Sequence, residues 1–177
     1  MVELLRKRRS IRKYTPRKVQ KEKIIKIIQA GLLSPSSKNS KPWEFIIVED
    51  KDKLEKLSFT KAGAAFLKNA DLGIVVLGNS ELSDVWIEDA SIASALMHIT
   101  AESEGLGSCW IQVRNRKYND NITSEDYVRQ ILNIPSNINV LSMISVGYAA
   151  KIPSPADLEK LEYRKVYLDS YANKYSF

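Results

Sequence analysis

The fold is decided by residues 83–113, which read SDVWIEDASIASALMHITAESEGLGSCWIQV. Small and flexible apolar residues recur at helical spacing in the first two thirds of this stretch, which predicts the longest helix of the chain, roughly Ser83–Glu104. Gly105 terminates the helix, since glycine favours the position after a helix end. The apolar run Ser108–Val113 then predicts a strand. The small residues would allow close helix packing, either within one subunit or across a dimer.

The rest of the chain adds three strands and five helices, predicted from short apolar runs and from apolar residues at helical spacing. The predicted strands are Trp43–Val48, Asp71–Leu77 and Val140–Val146. The predicted helices are Val2–Arg9, Val19–Leu33, Lys51–Leu57, Ala62–Asn69 and Ser124–Leu132, the last with Ser124 as its N-cap. Because strands and helices interleave, the pattern predicts mixed α and β layers, with helices covering a sheet.

The chain is expected to form a single domain over residues 1–177, of which about 149–177 is a C-terminal arm. The arm has too few core-like residues to be a domain of its own. Its tyrosines are spaced by four, which indicates that it packs along a surface. That surface belongs either to the same chain or to a partner subunit, and the tyrosine spacing leaves both open.

The composition argues against several kinds of site. A single cysteine, Cys109, cannot form an internal disulfide, and a single histidine, His98, argues against a multi-histidine metal site. No metal is therefore predicted. The two residues stand at opposite ends of a helix–turn–strand, so we do not expect them to meet as a catalytic pair. We expect a structural role for His98 and a small buried side chain at Cys109.

The net charge of +6, from 27 Lys and Arg against 21 Asp and Glu, allows a basic nucleic-acid-binding module. Basic surfaces are more often simply solvated, and a local cluster of cations suits a phosphate ester at least as well. No apolar stretch follows the basic N-terminal residues, and no run approaches the roughly 18 residues that span a bilayer. We therefore expect a cytoplasmic protein with no nucleic-acid and no membrane partner.

The sequence carries no familiar motif that performs chemistry by itself. The GxGxxG dinucleotide fingerprint, the GxxxxGK[ST] phosphate loop and the GxSxG nucleophile elbow are absent from it. No obvious nucleophile or metal ligand set remains. If the protein is an enzyme, a cofactor must supply the reaction chemistry.

Three segments carry side chains suited to such a cofactor. They are Arg8, Arg9, Ser10 and Arg12; Pro35, Ser36, Ser37 and Asn39; and Cys109, Trp110 and Ile111. The first offers guanidinium and hydroxyl donors to a phosphate, the second an amide for the edge of a ring, and the third an indole that can wall a flat ring. Each also has a plain structural explanation, namely solvated cations, a loop of turn-forming residues, and a glycine-capped helix before a core strand.

Taken in order, these segments resemble the nitroreductase family of FMN oxidoreductases. The chain has Arg-Arg-Ser-Ile-Arg near its start, then Pro-Ser-x-x-Asn-x-x-Pro-Trp, then a small-residue helix ending Gly-Leu-Gly-x-x-Trp, and later a strand ending Gly-Tyr. Each piece is common, but the ordered set is specific. The resemblance runs from Leu4 to about Arg164.

The resemblance implies an α+β fold with a central, mainly antiparallel sheet flanked by helices. It also implies a homodimer that binds FMN in the subunit interface, with C-terminal segments crossing to the partner subunit. NADH or NADPH would donate electrons, and a small organic acceptor such as a nitroaromatic or quinone would receive them. The flavin would carry the chemistry, so no residue of the chain is expected to be catalytic.

By similarity, Arg8 and Ser10 would hold the phosphate and ribityl end of FMN, with Arg9 near them. Arg164, in the arm, would add a second phosphate contact. Arg12 would approach the N1/O2 edge of the flavin ring. The second segment, residues 35–39, would come from the partner subunit and lie along the ring.

By the same similarity, the backbone around Cys109–Gln112 would face the flavin N5 region. The chain also departs from the pattern of the family, which usually has glutamine at Lys41, glycine at Gln112 and proline at Ala149. The first two positions would lie close to the flavin. These departures leave open a family member with a specialised substrate or a sensor role.

Overall fold

The computed structural model describes residues 1–176 and contains the predicted alternation of helices and strands. The strands are β1 (Trp43–Val48), β2 (Leu72–Asn79), β3 (Gly107–Gln112) and β4 (Ile138–Gly147). The helices are α1 (Val2–Lys7), α2 (Lys21–Leu32), α3 (Lys51–Ser58), α4 (Trp86–Ser103) and α5 (Ser124–Leu132). None of these helices is long and apolar enough to cross a membrane.

The four strands form one sheet in the order β1-β2-β4-β3, and all neighbours are antiparallel. One face of the sheet packs against α2 and α4, and the other packs against α3 and α5. The central strand β2 is buried on both faces. Strands covered on both sides need apolar residues at successive positions, which explains the continuous run LGIVVL at residues 72–77. The predicted α+β fold with a mainly antiparallel sheet is confirmed.

The stripe of small residues on α4 packs within its own subunit. Ala90, Ala93, Met97 and Ala101 are each at most 1% exposed, and they belong to the same buried cluster as Ile27 of α2. Small side chains let two helices approach closely. The sequence left open whether these small residues pack within one subunit or across a dimer. In the structure they pack within one subunit.

The N-cap of α5 differs from the prediction. The helix begins at Ser124, but its cap is Thr123, whose hydroxyl oxygen accepts a hydrogen bond from the Asp126 N–H over 3.0 Å. The Ser124 side chain is buried and donates to the Thr60 carbonyl over 2.9 Å. The predicted Ser124 cap was therefore wrong by one residue, because the hydroxyl of Ser124 serves a tertiary contact instead.

The C-terminal arm, residues 149–176, makes few contacts with its own chain, and none of these residues is buried. The start of the arm follows the N-terminal segment, where the Ala156 N–H donates to the Arg6 carbonyl over 2.9 Å. Further on, Leu161, Leu168 and Tyr171 are 47%, 50% and 83% exposed. The arm therefore presents apolar side chains that its own core does not use. Phe177, the last residue of the predicted arm, lies outside the described residues.

Candidate functional site

A cavity of about 380 Å³ opens where the N-terminal segment, α4 and β3 meet. We call it the Arg8 cavity, and it is lined by Leu5, Arg8, Ser10, Ser91, Ala95, His98, Ile99 and Trp110. The structure thus brings together parts of the first and third predicted segments. A guanidinium and a hydroxyl side by side are the donors that bind a phosphate well.

The backbone of the N-terminal segment holds it on β3. Ser10 forms a parallel bridge with Ser108, and the Ile11 N–H donates to the Ser108 carbonyl over 2.9 Å. Ile11 packs directly over Gly107, where a Cβ atom would lie 2.7 Å from the isoleucine side chain. Since only glycine allows this approach, the first residue of β3 lets the N-terminal segment lie close beside the strand.

His98 lines the same cavity, although its place in an apolar helix predicted only a structural role. Its Nδ1 lies 2.7 Å from the Ser108 Oγ, and its ring stacks on Trp110 with the centroids 6.4 Å apart. Burial, helped by the nearby charge of Arg8, lowers the pKa of the imidazole to about 4. The ring is therefore neutral near pH 7. Its buried Nε2 has no hydrogen-bond partner within residues 1–176.

Cys109 and Ile111 direct their side chains to the other face of β3, because successive residues of a strand alternate. Ile111 belongs to the core cluster on the α3 and α5 side, and Cys109 is 2% exposed. Burial raises the pKa of the Cys109 thiol, although the charge of Arg12 opposes it. As predicted, Cys109 is a small buried residue that does not meet His98. The side chains of Cys109 and Ile111 therefore do not line the Arg8 cavity, and their backbone groups point toward β4.

Trp110 and Gln112 lie on the outer edge of the sheet. The Trp110 Nε1–H donates to the Gln112 Oε1 over 2.9 Å, and the Gln112 Nε2 donates to the Arg114 carbonyl over 2.8 Å. The Ser108 carbonyl points outward to Ile11, so the backbone groups of Trp110 and Gln112 also point outward. Within the described chain β3 pairs with no strand on this side. These backbone groups can therefore bind the polar edge of a ring.

The second predicted segment is tied to the start of α4. We call residues 34–42 the serine loop. The buried carboxylate of Asp89 accepts the Ser37 N–H over 2.9 Å and the Ser83 hydroxyl over 3.2 Å. Asp89 and His98 stand nine residues apart on one helix (98 − 89), which corresponds to about 14 Å along its axis. Ser91 of the cavity lies closer to Asp89, but Pro35, Ser36, Ser37 and Asn39 do not line the Arg8 cavity of their own chain.

The serine loop has an unusual backbone. Lys38, Asn39 and Lys41 have φ angles of 52°, 56° and 49°, in the left-handed region that favours glycine. Such conformations cost free energy and persist where the surroundings fix them, often at ligand sites. The bonds to Asp89 are part of what fixes them here.

The remaining predicted arginines lie outside the Arg8 cavity. The Arg9 guanidinium donates to the Ser154 carbonyl of the arm. The Arg164 side chain is 79% exposed and forms an ion pair with Glu162 at 2.9 Å. Arg12 lines a second cavity of about 480 Å³, and its guanidinium carbon lies 5.7 Å from the centroid of the Phe66 ring.

Comparisons with known proteins decide the family. The sequence model of the nitroreductase family matches residues 5–67 and 57–148. A solved FMN-dependent nitroreductase from Clostridium difficile is 49% identical, and the match covers 97% of this chain and all of that one, with a TM-score of 0.95. The chain belongs to the nitroreductase family.

Other nitroreductase-family proteins agree with this assignment. A nitroreductase-type protein of Archaeoglobus fulgidus is 39% identical over 145 residues, which cover 80% of each chain. The NADPH:FMN oxidoreductase of Vibrio harveyi, solved in complex with NAD+, is 25% identical, and the match covers 96% of this chain and 77% of that one, with a TM-score of 0.81. As a member of the nitroreductase family, the chain is an oxidoreductase.

One face of α4 in this nitroreductase-family chain was missed by sequence reasoning. Ser91, Ala95, His98 and Ile99 follow helical spacing and line the Arg8 cavity together. The sequence contained an indication of this second face, because the stripe of small residues accounts for only one side of α4. A second side with a histidine and a serine on it remained unassigned.

Proposed function

We propose that the chain binds FMN and passes electrons from NADH or NADPH to small organic acceptors, such as nitroaromatics or quinones. The proposal depends on one observation above all, which is the meeting of Arg8, Ser10 and Trp110 in one cavity at the sheet edge. The names of two relatives support it, since one is an FMN-dependent nitroreductase and the other an NADPH:FMN oxidoreductase.

The residues around the Arg8 cavity fit a phosphorylated flavin. Arg8 and Ser10 offer a charged and a neutral donor to a phosphate, and Trp110 offers a flat apolar wall. The outward backbone of β3 offers donors and acceptors to the polar edge of a ring. The buried Nε2 of His98 is a polar atom that a ligand at this position would satisfy.

In this proposal the chain binds and orients, while bound FMN supplies the redox chemistry by accepting hydride from the nicotinamide and yielding it to the acceptor. Arg8 and Ser10 hold the polar end of the cofactor. The Trp110 indole is kept in place by its bond to Gln112. Arg12 would bring positive charge to the N1/O2 edge of the flavin, where a cation would stabilise negative charge on the reduced ring.

A homodimer is part of the proposal. Residues 35–39 do not line the Arg8 cavity of their own chain, which favours a loop supplied by a second subunit. Residues 35–39 of each subunit would then complete the flavin site of the other. Cofactor binding and subunit assembly would stabilise each other, because both depend on the same interface.

The arm gives the dimer a second contact. An apolar groove of about 550 Å³ lies between α2 and the edge strand β1. It is lined by Val19, Lys21, Ile24, Ile25, Ile28, Gln29, Leu32, Ile47 and Glu49. We propose that the arm of the partner subunit covers this groove, since the exposed leucines and tyrosines of the arm match its apolar lining. An added strand would also pair with the free edge of β1.

A specialised substrate within the same family is the second candidate. Gln112 favours it, because its amide is fixed between Trp110 and the Arg114 carbonyl at a position where the family pattern has glycine. A side chain at this place would narrow the space beside the ring. Turnover with a panel of nitroaromatic, quinone and flavin acceptors distinguishes the two candidates.

The visible spectrum of the purified protein tests the proposal. We expect flavin absorbance, a dimer on gel filtration, and bleaching when NADH or NADPH is added without oxygen. A protein that stays colourless after incubation with excess FMN would contradict flavin binding. A yellow protein that neither nicotinamide bleaches would contradict the reductase activity but not the cofactor.

Substitution Arg12→Ala tests the role of charge near the ring. We expect the variant to retain FMN in part but to be reduced more slowly, because a nearby cation stabilises negative charge on the cofactor. Stopped-flow bleaching by NADH gives the rate. Lys53→Ala, which removes an exposed charge on α3, serves as the control. Equal rates in wild type and Arg12→Ala would exclude this role.

A further inference from the structure

We propose that His98 is a cofactor-binding residue, whose Nε2–H donates a hydrogen bond to the phosphate–ribityl chain of the flavin while Ser108 holds the ring. The inference deepens the proposed function and depends on it. It rests on the position of the imidazole between Arg8, Ser108 and Trp110 in one cavity.

Ser108 links the histidine to the phosphate-binding segment. Its hydroxyl lies 2.7 Å from the His98 Nδ1, while its carbonyl accepts the Ile11 N–H and its backbone bridges to Ser10. One residue of β3 therefore positions both the imidazole and the segment that carries Arg8. Stacking on Trp110 restrains the ring further, so the direction of the free nitrogen is set before a ligand arrives.

The inference requires one of the two tautomers of the neutral ring. The ring is neutral because it is buried beside Arg8, so only one of its nitrogens carries a proton. If the Ser108 hydroxyl donates to Nδ1, the proton is on Nε2, which becomes a donor. Phosphate oxygens only accept hydrogen bonds, so this tautomer matches the ligand that Arg8 also attracts. Nε2 is the buried atom that has no partner within the described chain.

Three variants of the full-length protein test the contact through the dissociation constant for FMN. His98→Leu removes both nitrogens, and we expect about a tenfold weaker affinity, the loss of one hydrogen bond at a buried site. His98→Gln places an amide N–H near the position of Nε2 and should stay within about threefold of wild type. Ser94→Ala is the control, because its hydroxyl is buried on the same helix but donates to the Ala90 carbonyl.

The single histidine allows a direct measurement on the wild-type protein, which needs no variant to fold. With ¹⁵N-labelled histidine, the two ring nitrogens give one pair of signals. We expect a protonated Nε2 and an unprotonated Nδ1, and a change in the Nε2 signal when FMN binds. The opposite tautomer, or an Nε2 signal that FMN does not change, would overturn the inference.

The outcomes separate this inference from the proposed function. If wild type does not bind FMN, the proposed function fails. If wild type binds FMN and His98→Leu binds it equally well, only the role of His98 is overturned. Riboflavin locates the contact, since a loss of affinity confined to FMN places it at the phosphate, and a loss with both ligands places it at the ribityl chain.

Discussion

Neighbouring residues of the N-terminal segment have different surroundings, although the sequence makes them look equivalent. Arg8 lines the cavity beside Ser10, whereas the Arg9 guanidinium binds the arm at the Ser154 carbonyl. Both are cations in one basic run, so neither composition nor spacing distinguishes them. At the scale of the residue, Arg8 faces the cavity and Arg9 contacts the arm.

Arg8→Ala and Arg9→Ala therefore form a matched pair with the same loss of charge. We expect Arg8→Ala to weaken FMN binding about tenfold or more, because a charge-assisted hydrogen bond is worth about 1.5–3 kcal/mol. Arg9→Ala should weaken it less than about threefold, since only long-range charge is lost. Fluorescence titration with FMN gives both affinities. Equal losses would show that both arginines hold the phosphate.

The sequence predicted only those residues of the candidate site that belong to the ordered set of motifs. The order of the three segments indicated Arg8, Ser10 and Trp110, and the structure brings these together. His98 was missed because a lone histidine in an apolar helix is usually a core residue, and only tertiary packing shows which side of α4 faces a cavity. The assignment of Arg164 to the phosphate remains a prediction, because within one chain it pairs with Glu162.

At the scale of the element, the serine loop depends on one buried carboxylate. Asp89 accepts hydrogen bonds from Ser37 and Ser83 and so joins the loop to the start of α4. The loop also includes three non-glycine residues with left-handed backbone. A strained loop is sensitive to the loss of the contacts that fix its backbone.

Asp89→Ala is expected to lower the free energy of unfolding by about 1–3 kcal/mol, because it leaves buried donors without acceptors. FMN affinity should fall as well if residues 35–39 contact the cofactor of the partner subunit. Urea denaturation and FMN titration measure the two effects. The control is Asp84→Ala, an exposed carboxylate nearby, which should change stability by less than about 0.5 kcal/mol. Similar results for both variants would contradict the role of Asp89.

Secondary structure was predicted correctly where neighbouring residues alone determine it. The bounds of β1 are those predicted. The apolar run has proline before it and acidic residues after it, and these neighbours mark both ends of the strand. The predicted helix over 62–69 is only a 3₁₀ turn over Ala65–Asn69, since Gly63 has a φ angle of 85°, which a right-handed helix does not contain. The N-cap of α5 could not be chosen between Thr123 and Ser124, because the choice depends on a contact with Thr60, distant in sequence.

At the scale of the whole molecule, one subunit leaves two matching apolar surfaces uncovered. The groove between α2 and β1 exposes Ile25 and Ile47, at 44% and 42%, and the arm exposes its leucines and tyrosines. Isolated apolar residues on a surface are common, but contiguous ones indicate an interface. The proposed dimer would bury both surfaces at once.

Ile25→Lys in the groove is expected to shift the protein from dimer to monomer, because a charge would be buried against the arm. Phe59→Lys is the matched control, since Phe59 is 56% exposed and does not line the groove. Analytical ultracentrifugation over a range of concentrations measures the shift. A dimer that tolerates Ile25→Lys as well as Phe59→Lys would exclude the groove as the place where the arm docks.

Asp71 joins three parts of the chain and predicts how stability depends on pH. Burial raises the pKa of this carboxyl, but the Val19 N–H at 2.7 Å and the charges of Lys18 at 3.0 Å and Lys51 at 3.6 Å outweigh it and lower the pKa overall. Because the folded value lies below the unfolded one, near 3.9, the stabilisation is present above that pH and is lost as the pH falls below it.

Urea midpoints between pH 5 and pH 2.5 measure this effect. Wild type should lose stability more steeply than Asp71→Asn over this range, while Asp71→Asn should be the less stable protein at pH 7. The exposed Asp120→Asn variant should follow wild type at every pH. Parallel curves for wild type and Asp71→Asn would show that this carboxylate does not govern acid sensitivity.

The sheet is complete at Gly147, and none of residues 148–176 is buried in the same chain. During synthesis the core can therefore collapse while the arm is still inside the ribosome. The arm, which is proposed to hold two copies together, emerges after the sheet, so the order of translation matches the order of assembly. In the proposed dimer, each arm lies on the other subunit, so subunit exchange requires both arms to dissociate. Mixed dimers of differently tagged chains should therefore form slowly when the two proteins are mixed after synthesis.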